Sequence, residues 1–123
     1  MQIALLYLGA ALTALWGISH LIPTRGVVAG FGEISDDNRH IITMEWIVEG
    51  VSLIFIGVLV AVVTAIDARA DVATAVYIVS AVGLLVLALV SLFTGFKVRF
   101  LPFRLCPFIL TLSAVLVLVG ALL

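Results

Sequence analysis

Glu45 and Glu49 are the residues whose types and spacing could most readily do chemistry. In a helix, residues at positions i and i+4 share a face and lie about 6 Å apart along the axis. The two acids stand at the start of an apolar run, Val51–Ala65, and an ionised carboxylate inside hydrocarbon is costly unless it is paired or hydrated. We therefore expect at least one glutamate to be buried and protonated near neutral pH, because desolvation and like-charge repulsion both favour the neutral acid. Such a pair could donate, accept or relay a proton.

Several other polar and aromatic residues are expected at the same depth as the two acids. His20 is predicted to relay a proton to Glu49 or to hydrogen-bond to it, because an unperturbed imidazole has a pKa of about 6.5. The alternative is that His20 is only a polar residue at a helix end, shortly before Pro23. The residues predicted to contact a ligand are Trp16, Trp46, Ser91, Thr94 and Arg104.

Two alternatives compete with a proton-transfer site. With slight thinning of the bilayer, both glutamates would lie at the headgroups, and one would pair with an arginine such as Arg104. A metal site is the second alternative, but the Glu-x-x-His spacing of di-iron bundles is absent from the sequence.

The single cysteine, Cys106, excludes an internal disulfide and a CxxC motif. We expect no metal and no other cofactor.

Composition predicts an integral membrane protein. Of the 123 residues, 65% are hydrophobic and 11% are charged, and the mean hydropathy is +1.42, whereas soluble domains average about 45–50% apolar residues. The length allows about four bilayer crossings of roughly 20 to 25 residues each. The formal net charge of −1 argues against nucleic acid as a partner, since binding phosphates requires a clustered basic face. The predicted fold is all-α, a single transmembrane bundle of four helices.

Apolar runs and the polar breaks between them predict the elements. Helices are expected over about 2–22, 38–66, 72–96 and 102–123, within a single domain of residues 1–123. Pro23 ends the first helix, and Ser35–Asn38 offers N-cap residues for the second. The connection over 23–37 mixes glycines with apolar residues, which is typical of a loop or short half-helix at the membrane interface. It could cover the bundle as a lid or serve only as a connector.

Basic residues predict the orientation in the cell membrane. The first and third connections carry Arg25, Arg39, Lys97, Arg99 and Arg104, whereas the second carries only Arg69. Because cytoplasmic loops are enriched in lysine and arginine, we expect the first and third connections in the cytoplasm and both termini outside it. The candidate site would then lie in the cytoplasmic half of the bilayer.

The order of the motifs carries a resemblance to a known family. The segment Leu15–Pro23 reads LWGISHLIP and ends the first predicted helix, a glycine-bearing connection follows, and acids then open the second of four helices. In this layout the chain resembles the DoxX-like group of small bacterial membrane proteins. The resemblance spans the whole length and implies a four-helix bundle, and some members of the group are associated with quinone or redox partners. It carries over no catalytic residue.

The sequence supports three classes of function. In the leading one, the site binds a lipophilic small molecule and, if the protein is an enzyme, transforms it by isomerisation, ring closure or epoxide opening, since each uses a neutral carboxylic acid. In the second, a dimer couples proton exchange at the same glutamates to transport. In the third, the acids pair with a partner protein in a membrane complex. Small residues that would let two copies pack closely as a homo-oligomer are Gly9, Ala10, Gly83 and Gly120.

Overall fold

The computed structural model describes residues 1–123 and consists of helices joined by short connections. The α-helices are α1 (Gln2–Leu21), α2 (Thr24–Ala29), α3 (Asp36–Asp67), α4 (Asp71–Phe93) and α5 (Leu101–Leu122), and a 3₁₀ turn covers Gly95–Lys97. There are no strands. Helices α1, α3, α4 and α5 are each long and apolar enough to cross a membrane. The structure confirms the prediction of an all-α bundle with four helices able to span the bilayer.

Local polar groups set the ends of the longest helix. Ser35 caps α3, because its hydroxyl accepts a hydrogen bond from the Asn38 N–H at 3.2 Å and satisfies one free donor of the first turn. At the other end, the Asp67 carboxylate accepts a hydrogen bond from the Arg69 N–H at 3.0 Å. The turn that follows is so short that α3 and α4 form an antiparallel hairpin.

The two ends of the bundle are formed by different elements. The α2 end holds the C-terminus of α1, all of α2, the start of α3, the 3₁₀ turn and the start of α5. The hairpin end holds both chain termini and the turn between α3 and α4. Within the connection predicted over 23–37, helix α2 packs against α3 and buries Val28. Helix α4 ends at Phe93, three residues before the predicted boundary at 96, and the 3₁₀ turn over Gly95–Lys97 follows after Thr94.

Helix α1 lies at the centre of the packing, since it contacts both α3 and α5, and α5 in turn contacts α4. Glycines allow α1 and α3 to approach closely. A Cβ added to Gly57 would lie 2.5 Å from the carbonyl oxygen of Ala10, and one added to Gly17 would lie 2.6 Å from that of Gly50. The neighbours around the bundle therefore follow the order α3, α1, α5, α4.

Three of the four small residues predicted to join two copies are used inside one copy. Gly9, Ala10 and Gly120 are buried within the bundle. A Cβ added to Gly9 would lie 2.7 Å from a methyl group of Val117, whereas one added to Gly83 would meet nothing within 4 Å. The small residues of α1 and α5 therefore explain the packing of these two helices, and association of two copies stays a prediction that does not rest on them.

Helices α3 and α4 share much less contact than the other neighbouring pairs. Near the hairpin end they are tied together by a hydrogen bond of 3.0 Å between the hydroxyls of Thr64 and Tyr77. Towards the α2 end, Val48 of α3 and Val90 of α4 are 52% and 55% exposed. The bundle is therefore open between α3 and α4 at its α2 end.

Candidate functional site

A cavity of about 1150 Å³ occupies the open side of the bundle. Its wall on α3 carries Glu45, Glu49 and Ser52, and the opposite wall carries Ser91 of α4 and Thr94, the residue that follows α4. The rest of the lining is mostly apolar and includes Val27, Phe31, Leu53, Leu87, Val90 and Leu110. A mostly apolar cavity with a few convergent polar groups is the usual form of a small-molecule site.

Glu45 and Glu49 both face this cavity, one helical turn apart on α3. Neither is buried in the protein, and the Glu49 side chain is 50% exposed. The protein itself therefore buries neither glutamate, and the prediction of a buried glutamate is not supported by the packing of the bundle. The physical reason is that α3 and α4 share little contact at this level, so the carboxylates meet an open cavity that water, lipid or a ligand can enter.

His20 is held against α3 by Trp46. The two rings stack with their centroids 3.9 Å apart and an interplanar angle of 18°. The indole N–H of Trp46 donates a hydrogen bond of 2.9 Å to the backbone carbonyl of His20. This carbonyl belongs to the last turn of α1, where backbone acceptors lack helical partners. Trp46 therefore caps α1 and fixes the plane of the imidazole at the same time.

The imidazole of His20 and the carboxylate of Glu49 are the only acidic and basic side chains of the structure that lie within 4 Å of each other. His20 Nε2 lies 3.5 Å from Glu49 Oε2, and the His20 side chain is only 11% exposed. His20 Nε2 is buried and makes no hydrogen bond, because this distance exceeds that of a well-formed one. A small movement of the Glu49 side chain would close the gap. A carboxylate that faces a cavity and adjoins an imidazole can exchange a proton with a bound molecule and share it with the histidine.

A second cavity, of about 180 Å³, lies beside the first and includes residues of α1 and α5. Its lining includes Trp16, His20 and Cys106, and it shares Glu49 and Ser91 with the larger cavity. The indole N–H of Trp16 is buried without a hydrogen-bond partner. Trp16, predicted to contact a ligand, therefore lines only the smaller space, where its N–H is available to water or to a polar group.

The other predicted contact residues divide between the cavity and the surface. Trp46 and Ser91 line both cavities, and Thr94 lines the larger one. Arg104 lines neither, and its Nε–H donates a hydrogen bond of 3.2 Å to the carbonyl of Val98. The alternative in which Arg104 pairs with a glutamate is not found either, because this long side chain donates to an acceptor in the loop before its own helix.

Three phenylalanines of the cavity lining were not predicted to be part of the site. Phe103, in the first turn of α5, lies 5.6 Å from Trp46 between ring centroids and lines both cavities. Phe31 and Phe100 line the larger cavity. The feature of the sequence that could have indicated them is the pair Phe100 and Phe103, three residues apart in the basic segment between the third and fourth predicted helices. Because aromatic residues are enriched at membrane interfaces in general, that signal does not by itself indicate a ligand.

Thr13, Thr64 and Tyr77, which lie far from the α2 end, have protein partners, whereas the buried hydroxyl of Ser113 has none. The Thr13 hydroxyl donates to a carbonyl one turn earlier in α1, and the Thr64 and Tyr77 hydroxyls bond to each other. Of three buried polar side-chain atoms without a partner, two are His20 Nε2 and Trp16 Nε1, which belong to the lining of the smaller cavity. Unsatisfied polar groups thus concentrate at the candidate site, where a ligand or water can supply the missing bonds.

No protein-family profile, curated protein or solved structure matches this chain. The resemblance to DoxX-like proteins therefore stays a prediction, and the geometry of the site is the basis for the function.

Proposed function

We propose that the protein binds a lipophilic small molecule in the cavity between α3 and α4, with the polar part of the molecule at Glu45 and Glu49. The observation that carries the proposal is an open, mostly apolar cavity of about 1150 Å³ with two carboxylates on one wall. Small-molecule sites usually measure about 300 to 1000 Å³. A cavity of this size suits a long or branched lipophile.

The depth of the carboxylates supports an amphiphilic ligand. A hydrocarbon core of about 30 Å takes about 20 helical residues. Counted from Ile66 at the hairpin end of α3, this length ends near Ile47, and counted from Val72 in α4 it ends near Ser91. Glu49 would then lie within the first turn inside the hydrocarbon, and Glu45 would lie at the headgroups. This boundary is where an amphiphile carries its polar group.

The open side supports entry of the ligand from the bilayer. The exposed Val48 and Val90 belong to the cavity lining, so the apolar interior of the cavity is continuous with the apolar outer surface of the bundle. Helix α2 and the residues next to it, including Pro23, Gly26 and Phe31, cover the cavity at the α2 end. A molecule dissolved in the membrane would not need to cross water to reach the carboxylates.

Glu49 is the proposed acid or base of the site. Its carboxylate faces the ligand space and lies 3.5 Å from His20 Nε2, so His20 would accept or return the proton that Glu49 exchanges. Glu45 is the proposed second proton carrier one turn away. A reaction that suits these groups is an isomerisation, a ring closure or an epoxide opening, since each begins with proton transfer from a carboxylic acid.

Ligand retention by the purified protein tests this proposal. Native mass spectrometry would compare the wild type with Glu49→Gln, which keeps the size of the side chain and removes its charge. The matched control is Glu33→Gln, because Glu33 is exposed and lines neither cavity. We expect a lipophile bound to the wild type and to Glu33→Gln, and occupancy reduced by about tenfold in folded Glu49→Gln, as for the loss of one charge-assisted hydrogen bond.

Two results would count against the proposal. One is a wild type that leaves the membrane without a bound molecule and takes up no added lipophile. The other is equal occupancy in Glu49→Gln and in the wild type, which would move the ligand away from α3.

A further inference from the structure

We infer that the ligand carries a positively charged amine on its lipophilic body. This inference rests on the proposed function and names the class of molecule that the same cavity takes. It follows from the charges, the aromatic rings and the free hydroxyls that line the cavity.

The charge of the lining is entirely negative. Glu45 and Glu49 belong to the larger cavity, and none of its lining residues is lysine or arginine. Glu45 makes no ion pair, and the only partner of Glu49 is His20. The lysine and arginine residues of the α2 end are absent from the lining of both cavities, and Arg104 is bonded to the loop backbone. An anionic ligand would therefore meet two carboxylates and no cation, whereas an ammonium group would compensate Glu45 directly.

Aromatic rings add a second attraction for a cation. Phe31, Phe100 and Phe103 belong to the lining of the larger cavity, as does Trp46, one face of which is covered by His20. The face of an aromatic ring attracts a cation within about 6 Å, and this attraction strengthens when the cation is desolvated. Carboxylates and aromatic rings that line the same cavity form a site that a neutral molecule of the same shape could only partly use.

Free hydroxyls can accept the remaining protons of an ammonium group. Ser52 and Ser91 line the cavity on its two opposite helices, and neither hydroxyl is engaged in a side-chain hydrogen bond, unlike that of Thr94. A primary ammonium has three N–H donors. Glu45 or Glu49 can accept one of them, and the serines are acceptors for the others.

Two sources could supply this chemistry, namely a single-chain amine and the headgroup of phosphatidylethanolamine. The phospholipid also carries a phosphate, for which the cavity lining offers no basic residue. The structure therefore favours an amine without a neighbouring anion.

A matched set of probes tests the inference on the intact wild type. Dodecylamine, N-dodecylacetamide and dodecanoate have the same chain with a positive, neutral or negative polar end, and native mass spectrometry would give the affinity of each for the detergent-purified protein. We expect the amine to bind about tenfold more tightly than the amide, because a hydrogen bond to a charged group is stronger than a neutral one, and the carboxylate to bind most weakly. In a parallel arm, retention of phosphatidylethanolamine would be compared with that of phosphatidylcholine.

Variants then assign the selectivity to the two glutamates. In the double variant Glu45→Gln/Glu49→Gln, amine and amide should bind within about threefold of each other, while Glu33→Gln should keep the tenfold preference. If the double variant folds poorly, Glu45→Gln and Glu49→Gln are measured separately, and each should lose part of the preference for the amine over the amide. Preferential retention of phosphatidylethanolamine that disappears in the double variant would support the ammonium site with a lipid as its source.

The outcomes separate this inference from the proposed function. Equal binding of amine and amide to the wild type, or a preference that survives in the double variant, would overturn the amine assignment and leave a lipophile site in place. Failure of all three probes and both phospholipids to bind would overturn the inference and the proposed function together.

Discussion

Trp46 and Trp16 have the same side chain but different roles at the α2 end. The Trp46 N–H donates to the carbonyl of His20 at 2.9 Å, and its ring stacks on the imidazole. The Trp16 N–H is buried without a partner. One tryptophan therefore ties α3 to the end of α1, and the other leaves a donor free beside the smaller cavity.

This difference predicts unequal effects of two identical substitutions. Trp46→Phe keeps an aromatic ring near His20 and removes the hydrogen bond to its carbonyl, so it should destabilise the protein by about 1 kcal/mol more than Trp16→Phe does. Both changes remove the same volume, and only the first removes a bond. Unfolding of detergent-solubilised protein, followed by circular dichroism, measures the difference. Equal losses of stability would show that the Trp46–His20 bond does not hold α1 to α3.

The residues of the site were only partly predictable. The spacing of Glu45 and Glu49 places them on one helix face whatever surrounds that helix. Their exposure was not predictable, because it depends on how far α4 stands from α3. The partner of Arg104 was not predictable either, since a long side chain at a helix start can reach a carbonyl in its own loop as easily as an acid on another helix.

Helix α3 is the element that holds most of the candidate site. It has 32 residues and is about 48 Å long at 1.5 Å per residue, longer than a hydrocarbon core of about 30 Å. Glycines hold it against α1 at Gly50 and Gly57, and the adjoining face, about 100° round the helix from Gly50, is left for the cavity. The carboxylates therefore lie beside the contact with α1, where Glu49 reaches His20 and both acids stay accessible from the cavity.

Two glycine substitutions should have effects of opposite sign. A Cβ at Gly57 would lie 2.5 Å from the Ala10 carbonyl oxygen and 2.8 Å from the Ala14 Cβ. Gly57→Ala should therefore force α1 and α3 apart and destabilise the protein by about 1 to 3 kcal/mol. Gly83→Ala meets nothing within 4 Å and should stabilise α4 by about 0.5 to 1 kcal/mol, because alanine is the better helix former.

Unfolding of the two variants in the same detergent provides the measurement. A Gly57→Ala protein as stable as the wild type would show that α1 and α3 are not in close backbone contact. A destabilised Gly83→Ala protein would indicate that α4 meets a second copy or a partner at that position.

At the scale of the whole molecule, the basic residues are concentrated at the α2 end, with five there against one at the hairpin end. We therefore predict that the α2 end and the carboxylates lie on the cytoplasmic side. Arg69 and Arg99 are both exposed and can be replaced by cysteine in a Cys106→Ser background. A membrane-impermeant maleimide should label Arg69→Cys on intact cells and Arg99→Cys only after lysis. The reverse pattern would invert the proposed orientation.

The architecture was more predictable than the arrangement of its parts. Four apolar runs of about 20 residues must become helices, because a bilayer leaves no other way to satisfy the backbone of an isolated span. The order α3, α1, α5, α4 depends on which small residues meet, such as Gly17 with Gly50, and a list of glycines does not give these pairs. The opening between α3 and α4 follows from that order. The sequence therefore predicts the level along the helices at which a site lies, but not the pair of helices between which the cavity opens.

Photolabelling tests most directly whether the cavity between α3 and α4 holds a lipophile. The protein in lipid nanodiscs would be irradiated with a neutral long-chain alcohol bearing a diazirine, and the labelled residues would be identified by mass spectrometry. We expect labels on the lining residues of α3 and α4, such as Val48, Leu53 and Leu87, and their loss with excess unlabelled alcohol. Labels spread over outward-facing residues such as Phe55 and Val79, without competition, would mean that the cavity binds no such molecule.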